Sequence, residues 1–539
     1  MSKLFERLIE KRGFSDDYIN PRYDGLDDPF LLPGMEKVVE RIKEAVERGE
    51  KILIYGDYDV DGVTASAVMS ETLCLAGAKA ENIFIMLPDR FADGYGMSPK
   101  LIKRANKIGA KLVITVDCGS RNHDIIDELN TLGIDCIVTD HHELGENLPE
   151  ALAVINPKRK DVLNQNLKDL AGVGVAFMVA LALVKNGLVK SGQEKWLLDL
   201  VLIGTICDSM TFSLDNHILG YFGLKVLSKT RRVGLKELMK KAGVKNLNSE
   251  AIGFQIGPRL NAAGRLETAD LALNLIQSDL APGAAALAEK LEELNKKRKI
   301  EQNSAISDIK EHGVGEDPVI VAVGKWHEGI LGIIAGRLLE EYARPAFVLS
   351  EVGEGIYKGS GRSFGDFSLA KALEYAGGVI MAGGGHAAAA GVRIEQNNLY
   401  AFREKINEYY RSLNLKDQKK YLKVTPDLEV DDLSELNLDF IEELKRIEPF
   451  GMGNQEPIFC LKKVRLHDVR KMGADGKHLR LDVVDKNGKF MKLVAFFAPE
   501  KWLNLLPEEQ EIEPIITINE NEFNGVRSVE GRILDINML

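Results

Sequence analysis

Lys51-Ile-Leu-Ile-Tyr-Gly-Asp-Tyr-Asp-Val-Asp-Gly-Val-Thr-Ala-Ser-Ala67 is the stretch whose reading decides the fold. Its apolar run, Ile52–Tyr55, stops at Gly56. Asp57, Asp59 and Asp61 follow at alternate positions, and Gly62 opens a helical pattern of small residues. A short apolar run bounded by glycine and followed by a helix reads as a buried parallel strand. The acids then stand at the carboxyl end of a strand, where open α/β sheets bind their ligands. Like charges this close repel one another unless cations neutralise them. The pattern D-x-D-x-D-G also opens a calcium loop of the EF-hand kind. That loop needs a helix before it and a Glu at its twelfth position, where Val68 stands, so the calcium reading fails.

Working outward, the runs Ile83–Leu87, Leu112–Val116, Cys136–Thr139 and Val154–Ile155 alternate with helical patterns over Val63–Ala76, Pro99–Lys107 and Asn122–Leu132. That alternation predicts a parallel, doubly wound sheet. Two runs end on polar residues, Asp117 and then Asp140-His141-His142, at the sheet edge that carries the first three acids. A later helical segment, Glu194–Cys207, delivers Asp208. Gly172-x-Gly174 reads equally as a helix-packing pair or a phosphate loop. Ala284–Glu311 is a long Glu/Lys-rich helical pattern, expected as a rigid connector with Lys296–Lys299 on its surface. A second α/β unit begins at Pro318, and strand-like segments with turns such as Ala474-Asp475-Gly476 predict a small β-barrel at the end of the chain. The expected divisions are a helical segment 1–50 packed on the first unit, that unit at 51–210, a helical region and connector 211–315, the second unit 316–412 and the barrel 425–539. His327-Glu328 begins like H-E-x-x-H, but Leu331 ends the zinc-protease reading.

A chain of 539 residues is long enough for roughly three domains. Its 45% apolar and 28% charged residues are those of a globular protein, and no apolar run is long enough to span a membrane. The amino terminus lacks the apolar core of a signal peptide, and five cysteines without a C-x-x-C pair read as free thiols, so a cytoplasmic location is expected. A net charge of −11 argues against non-specific coating of nucleic acid but allows a nucleic-acid enzyme with local basic patches.

Carboxylates with one or two imidazoles suit Mn²⁺ or Mg²⁺ better than zinc. Asp57, Asp59, Asp61, Asp117, Asp140, His141, His142 and Asp208 offer more donors than one ion can use. Two ions can hold both the attacking and the leaving oxygen of a phosphoryl displacement, which makes phosphodiester or phosphoanhydride hydrolysis the expected reaction.

GDYDVDG, VDCG, TDHH, the Asp208 segment and the GGGH run, in this order, resemble the DHH phosphoesterase superfamily. Pro88–Gly96, Asn156–Arg159, GPRLNAAGR, GSGRS and EPFGMGN narrow the resemblance to the RecJ group of 5′→3′ single-strand DNA exonucleases. The resemblance implies a DHH domain, a connecting helix, a DHHA1 domain and a carboxyl-terminal OB-fold. Asp57, Asp59, Asp61, Asp117, His141 and Asp208 become ligands of two Mn²⁺ or Mg²⁺, with Asp117 bridging. Asp140 orients a ligand, and His142 sits over the scissile phosphate or the attacking water. Arg90, Ser360 and Arg362 resemble a pocket for the 5′-terminal phosphate, whose dianion guanidinium forks suit. His386 resembles a nucleic-acid contact, and Arg259 and Asn261 phosphate contacts near the metals. The implied partners are single-stranded DNA, a single-strand-binding protein and a RecQ-type helicase, with the chain a monomer. One departure stands out: Asn216-His217 occupy the place of a usual Asn-Arg pair, which leaves that arginine's helper role open. The alternatives within the superfamily are a phosphodiesterase for short RNA or cyclic dinucleotides, a pyrophosphatase, and a binding module that has lost its ligands.

Overall fold

The computed structural model describes the whole chain except Tyr95, Asp417, Ala474, Asp475, Asn504, residues 506–510 and Leu539, so most of the expected 474–476 turn lies outside the described residues. The first sheet comprises β1 (Ile52–Tyr55), β2 (Ile83–Met86), β3 (Leu112–Val116), β4 (Asp135–Thr139) and β5 (Ala153–Ile155). They run parallel in the order β2-β1-β3-β4-β5. β1 and β3 are buried on both faces, as strands covered by crossover helices must be. The carboxyl ends of β1, β3 and β4 therefore open side by side on one edge.

The connector is a single helix, Ala281–His312, whose 32 residues span about 48 Å. Ala284, Ala288, Leu291 and Leu294 pack into the core of the first unit, and Ala305, Ile306 and Ile309 into that of the second. Of the Lys296–Lys299 run only the lysines face outward. Arg298 follows Leu291 by two turns on the inward stripe and is buried. The second sheet contains β6 (Ile320–Gly324), β7 (Ala346–Gly353), β8 (Ile356–Arg362), β9 (Ala382–Gly385) and β10 (Ala389–Glu395), in the order β6-β7-β8-β10-β9. Only its β6–β7 pair is parallel.

At the carboxyl end, β11 (Leu428–Val430) and β12 (Phe459–Leu461) precede β13 (Val464–Met472), β14 (His478–Val484), β15 (Phe490–Ala495), β16 (Glu511–Phe523) and β17 (Val526–Met538). The last five close a ring: β13 pairs β14, β14 pairs β15, β15 pairs β17 in parallel, β17 pairs β16, and β16 returns to β13. A five-stranded closed barrel with this connectivity is an OB-fold.

The amino-terminal segment corrects an expectation. Helix Met35–Arg48 packs on the first unit, but Leu4, Phe5, Leu8 and Ile19 belong to the core of the barrel domain, and Arg12 pairs with Asp427 at 2.8 Å. An apolar stripe on a helix shows that the helix is covered, not which distant surface covers it. No described helix is long and apolar enough to cross a membrane.

Candidate active site

Each acid is held by a local feature of the chain. Asp59 caps helix Val60–Leu75, accepting from the backbone N–H of Asp61 and Gly62. A side chain at Gly62 would lie 2.5 Å from the Asp57 backbone, so only glycine lets the helix start against the strand end. Both Asp61 oxygens accept from the amino terminus of helix Gly172–Lys185, at 2.7 Å from Gly172 N and 2.9 Å from Val173 N. The Gly172-x-Gly174 pair is thus neither alternative alone: its helix end holds a carboxylate, and a Cβ on Gly172 would meet Asp117 at 2.5 Å. Asp117 follows β3 in the left-handed region at φ 61°, a conformation disfavoured for most side chains and found repeatedly where a site over-determines the backbone. Asp208 caps the end of helix Leu198–Cys207.

These residues converge. His141 Nε2 lies 3.1 Å from Asp117 Oδ1, 3.5 Å from Asp208 Oδ2 and 3.7 Å from Asp61 Oδ2. Three groups hold donor atoms within 4.8 Å of one another: Asp57/Asp59/Asp117, Asp61/His141/Asp208 and Asp117/His141/His142. Asp117 and His141 each belong to two of them, so these two groups lie where the three clusters meet. Asp57 Oδ1, Asp117 Oδ1 and His141 Nε2 are buried without a hydrogen-bond partner. Burial and then the Asp59 charge push Asp57 up to about 8 and Asp61 to about 7; burial with Asp61 and Asp59 takes Asp208 to about 8. Asp117 is raised well above its ordinary range, by burial and then by Asp61, Asp59, Asp57 and Asp208. Burial brings His141 down to about 3, leaving a neutral imidazole that can ligate. Acids raised by mutual repulsion, with bare donor atoms aimed at one another, fit a pair of hard divalent cations.

Asp140 and His142 are wired differently. Asp140 accepts from the backbone N–H of Ser120, His141 and His142 and binds His142 Nδ1 at 2.9 Å. Burial opposes its charge, but these bonds and His142 hold the carboxyl below its ordinary range. Asp140 in turn raises His142 against the pull of burial. A fixed anion thereby orients a partly exposed imidazole at the pocket rim.

Beside the acids lies a cationic pocket. Arg90 stacks over the Tyr58 ring at 4.8 Å, and Arg362 binds Ser360 Oγ at 3.3 Å. A Cβ at Gly332 would come 2.8 Å from Arg362 and 3.0 Å from Ser360, so the start of helix Leu331–Tyr342 abuts both. Arg265 joins them: burial, then the charges of Arg90, Arg298 and Arg362, lower it to about 9. Arginines crowded beside a helix amino terminus suit an anion. Arg265 and Arg298 also line a cavity of about 1060 Å³ with Asn261, Cys207, Phe254 and Met452.

Three expected residues need correction or qualification. Arg259 does not face the acids: it binds Glu292 at 2.6 Å and the Gln255 carbonyl at 2.6 Å, fastening its helix to the connector. Arg265, which sequence reasoning passed over, faces the cavity and the arginine pocket instead. The signal was in the motif, because Asn261 and Arg265 are four residues apart on one helical face and Arg259 is on another. His386 follows the exposed edge strand β9. Pairing of Ala389 with Arg362 and Ala390 with Gly385 puts it at the Arg362 end of the sheet, about 10 Å across β10. In the atypical stretch, Asn216 donates to the carbonyls of Asp169 and Thr211, and the buried His217 stacks on Tyr18 at 3.8 Å, so His217 docks the amino-terminal segment.

Profile comparison matches residues 51–205 to the DHH family, N-terminal domain, residues 316–412 to the DHHA1 domain and residues 427–535 to the RecJ OB domain. Two relatives named single-stranded-DNA-specific exonuclease RecJ are each 34% identical. The Bacillus subtilis protein matches 99% of this chain and 68% of its own length, and the Escherichia coli protein 98% and 94%. The crystal structure of Thermus thermophilus RecJ in complex with Mn²⁺ superposes with a TM-score of 0.85 at 29% identity, covering 99% of this chain and 76% of that one. With three domains in the same order and likeness running end to end, the chain belongs to the RecJ family of the DHH phosphoesterases.

Proposed function

We propose that this chain is a divalent-metal-dependent exonuclease that degrades single-stranded DNA from the 5′ end to mononucleotides, in recombination and repair. The observation that carries the reading is the apposition of two opposite charge traps, bare buried acids on the first sheet and clustered arginines against the second.

Asp57, Asp59, Asp61, Asp117, His141 and Asp208 would hold two Mn²⁺ or Mg²⁺, with Asp117 shared. Such a pair supplies hydroxide near neutral pH and neutralises charge on the displaced oxygen. The terminal phosphate sits among Arg90, Ser360, Arg362 and Arg265, which fixes which phosphodiester reaches the acids. His142, oriented through Nδ1 by Asp140, presents its other face to that phosphodiester and steadies charge there. Asn261 and His386 guide the strand beyond. Residues 51–210 carry the acids, 211–315 the connector and 316–412 the arginine–serine pocket. The 1–50 segment clasps the barrel, and 425–539 holds the trailing strand. A monomer in the reducing cytoplasm suits the five free cysteines. A single-strand-binding protein and a RecQ-type helicase are the partners this role calls for.

The test is a 5′-phosphorylated single-stranded oligonucleotide labelled at either end and incubated with Mn²⁺. Mononucleotide release from the 5′ end at the first time point, none from blunt duplex and none with a chelator is expected. Equal release from both ends would overturn the polarity, and metal-independent release would overturn the mechanism.

A further inference from the structure

Phe254 is the anomaly of the large cavity. It is 75% exposed, on the helix face opposite the fully buried Ile252 and Ile256. The segment Ile252–Ile256 is a π-helical turn inserted ahead of helix Gly257–Leu266. A π turn is rare and recurs at functional sites. Here the outward residue is a phenylalanine on the wall of the cavity that Asn261, Arg265 and Arg298 also line.

A second large apolar side chain is presented to the same space. Met452, 57% exposed, comes from the EPFGMGN loop of the barrel domain. That loop is held rigidly. Met452 O accepts from Phe212 N at 2.8 Å, four residues beyond Asp208. The buried Asn454 amide donates to the carbonyls of Ile447 and Pro449, and Arg12 donates to Asn454 Oδ1. Gly451 and Gly453 admit Phe212 and Thr211 so closely that a Cβ on either would collide. Met452 is thus fixed from the side of the acid pocket, not left on a free loop.

Charge divides the cavity. Arg265 and Arg298 are cationic, whereas Glu250, paired with Arg532 at 3.2 Å, and the enclosed Glu456 belong to the elements that carry Phe254 and Met452. Phosphates are drawn to the first wall, whereas on the second Glu250 already neutralises Arg532 and no cation among the described residues is left over to hold a phosphate. A nucleic-acid strand entering the cavity turns its backbone toward the arginines and its bases toward Phe254 and Met452.

We infer that Phe254 and Met452 form a stacking site for an unpaired nucleobase of the strand undergoing hydrolysis, so that single-strandedness is read inside the nuclease core as well as at the barrel. A paired base is already stacked and shielded and cannot reach this wall. Aromatic stacking also tolerates any base, as an exonuclease requires. The inference rests on the proposed nuclease activity.

The experiment moves a single abasic residue along a 5′-phosphorylated single-stranded oligonucleotide and measures KM for wild type, Phe254→Ala, Phe254→Trp and Met452→Ala with Mn²⁺. In wild type, one abasic position near the 5′ end raises KM about tenfold. Phe254→Ala shows the raised KM on intact DNA and no further penalty at that position; Phe254→Trp restores both values. Met452→Ala lowers the penalty without the risk of disturbing the π turn. An abasic penalty that persists undiminished in Phe254→Ala and Met452→Ala, or a wild type indifferent to abasic residues, overturns the inference. Wild-type turnover of the p-nitrophenyl ester of thymidine 5′-phosphate separates the two readings: if it proceeds with Mn²⁺ while abasic residues have no effect, the stacking site alone fails.

Discussion

Asp117 and Asp199 are each 1% exposed in the same domain, and they are wired in opposite ways. Asp199 accepts from Leu200 N at 2.8 Å, from the Thr230 hydroxyl at 2.6 Å and from Arg232 Nε at 3.1 Å; Arg232 in turn grips Glu71. Asp117 Oδ1 has no hydrogen-bond partner among the described residues; its nearest bases are His141, which burial keeps neutral, at 3.1 Å and His142 at 3.7 Å, and four carboxylates crowd it. Burying a charge costs several kcal/mol unless it is paired. The chain meets that cost at Asp199 from its own residues. At Asp117 it leaves the pairing to something that binds. Equal burial therefore separates a structural acid from a functional one only when the partners are counted.

The comparison breaks if Asp117→Asn behaves like a lost structural residue. Asn tolerates the left-handed backbone at this position, so the fold should survive. Turnover should fall by roughly four orders of magnitude, about 5.5 kcal/mol of barrier. In EDTA the variant should melt higher than wild type, since one of the repelling charges is gone, by about 2 °C for each ~1 kcal/mol relieved. Mn²⁺ should raise the melting temperature of wild type and leave that of the variant nearly unchanged. Calorimetry with and without EDTA decides the matter. A variant that melts lower in EDTA and still responds to Mn²⁺ would mean that Asp117 is not the shared ligand.

Asp199→Ala should do the reverse. Leaving Arg232 buried beside one carboxylate instead of two is expected to cost about 3–5 kcal/mol of unfolding free energy in urea. Molecules that remain folded should keep wild-type turnover and the wild-type Mn²⁺ response. A loss below ~1 kcal/mol would show that the Thr230–Arg232 network contributes little.

The acid pocket was legible in the sequence because each ligand ends a strand or a helix. Once alternation gives a parallel sheet, its strand ends share one edge. The barrel and the connector were legible for similar reasons, turn spacing and an unbroken helical pattern. What stayed hidden depends on long-range packing. The stripe Leu4–Leu8 could have covered any apolar surface, and only the fold assigns it to the barrel domain. Arg259 and Arg265 differ in which helix face meets Glu292 of the connector, a contact 33 residues away that no local pattern contains. Phe254 was hidden further still: periodicity turns it away from Ile252 and Ile256, but does not show the cavity that its face lines.

Asp215 is an intermediate case and sharpens the contrast at the low end. It is fully buried in the first turn of helix Leu214–Leu227; one oxygen accepts from Asp27 N at 3.3 Å and the other has no partner. Burial, then the charge of Asp27, raises it to about 7. In the unfolded chain it titrates near the ordinary ~3.9, so between about pH 4 and pH 7 the folded state binds the extra proton. Its contribution is therefore favourable in acid and is lost as pH rises toward 7, above which both states are ionised and the cost levels off. With relaxation around Asp27 allowed for, about 1–2 kcal/mol of that cost should remain at pH 8. Asp215→Asn cannot ionise and can donate to Asp27, so it should be more stable than wild type by that amount at pH 8 and close to wild type at pH 5. Urea midpoints at the two pH values, with Mn²⁺ saturating so that the acid pocket contributes equally to both proteins, measure the difference. If the variant is instead less stable at pH 8, Asp215 is held as an anion and belongs with Asp199; if the gain is pH-independent, the amide is simply the better fit and charge is not what strains this turn.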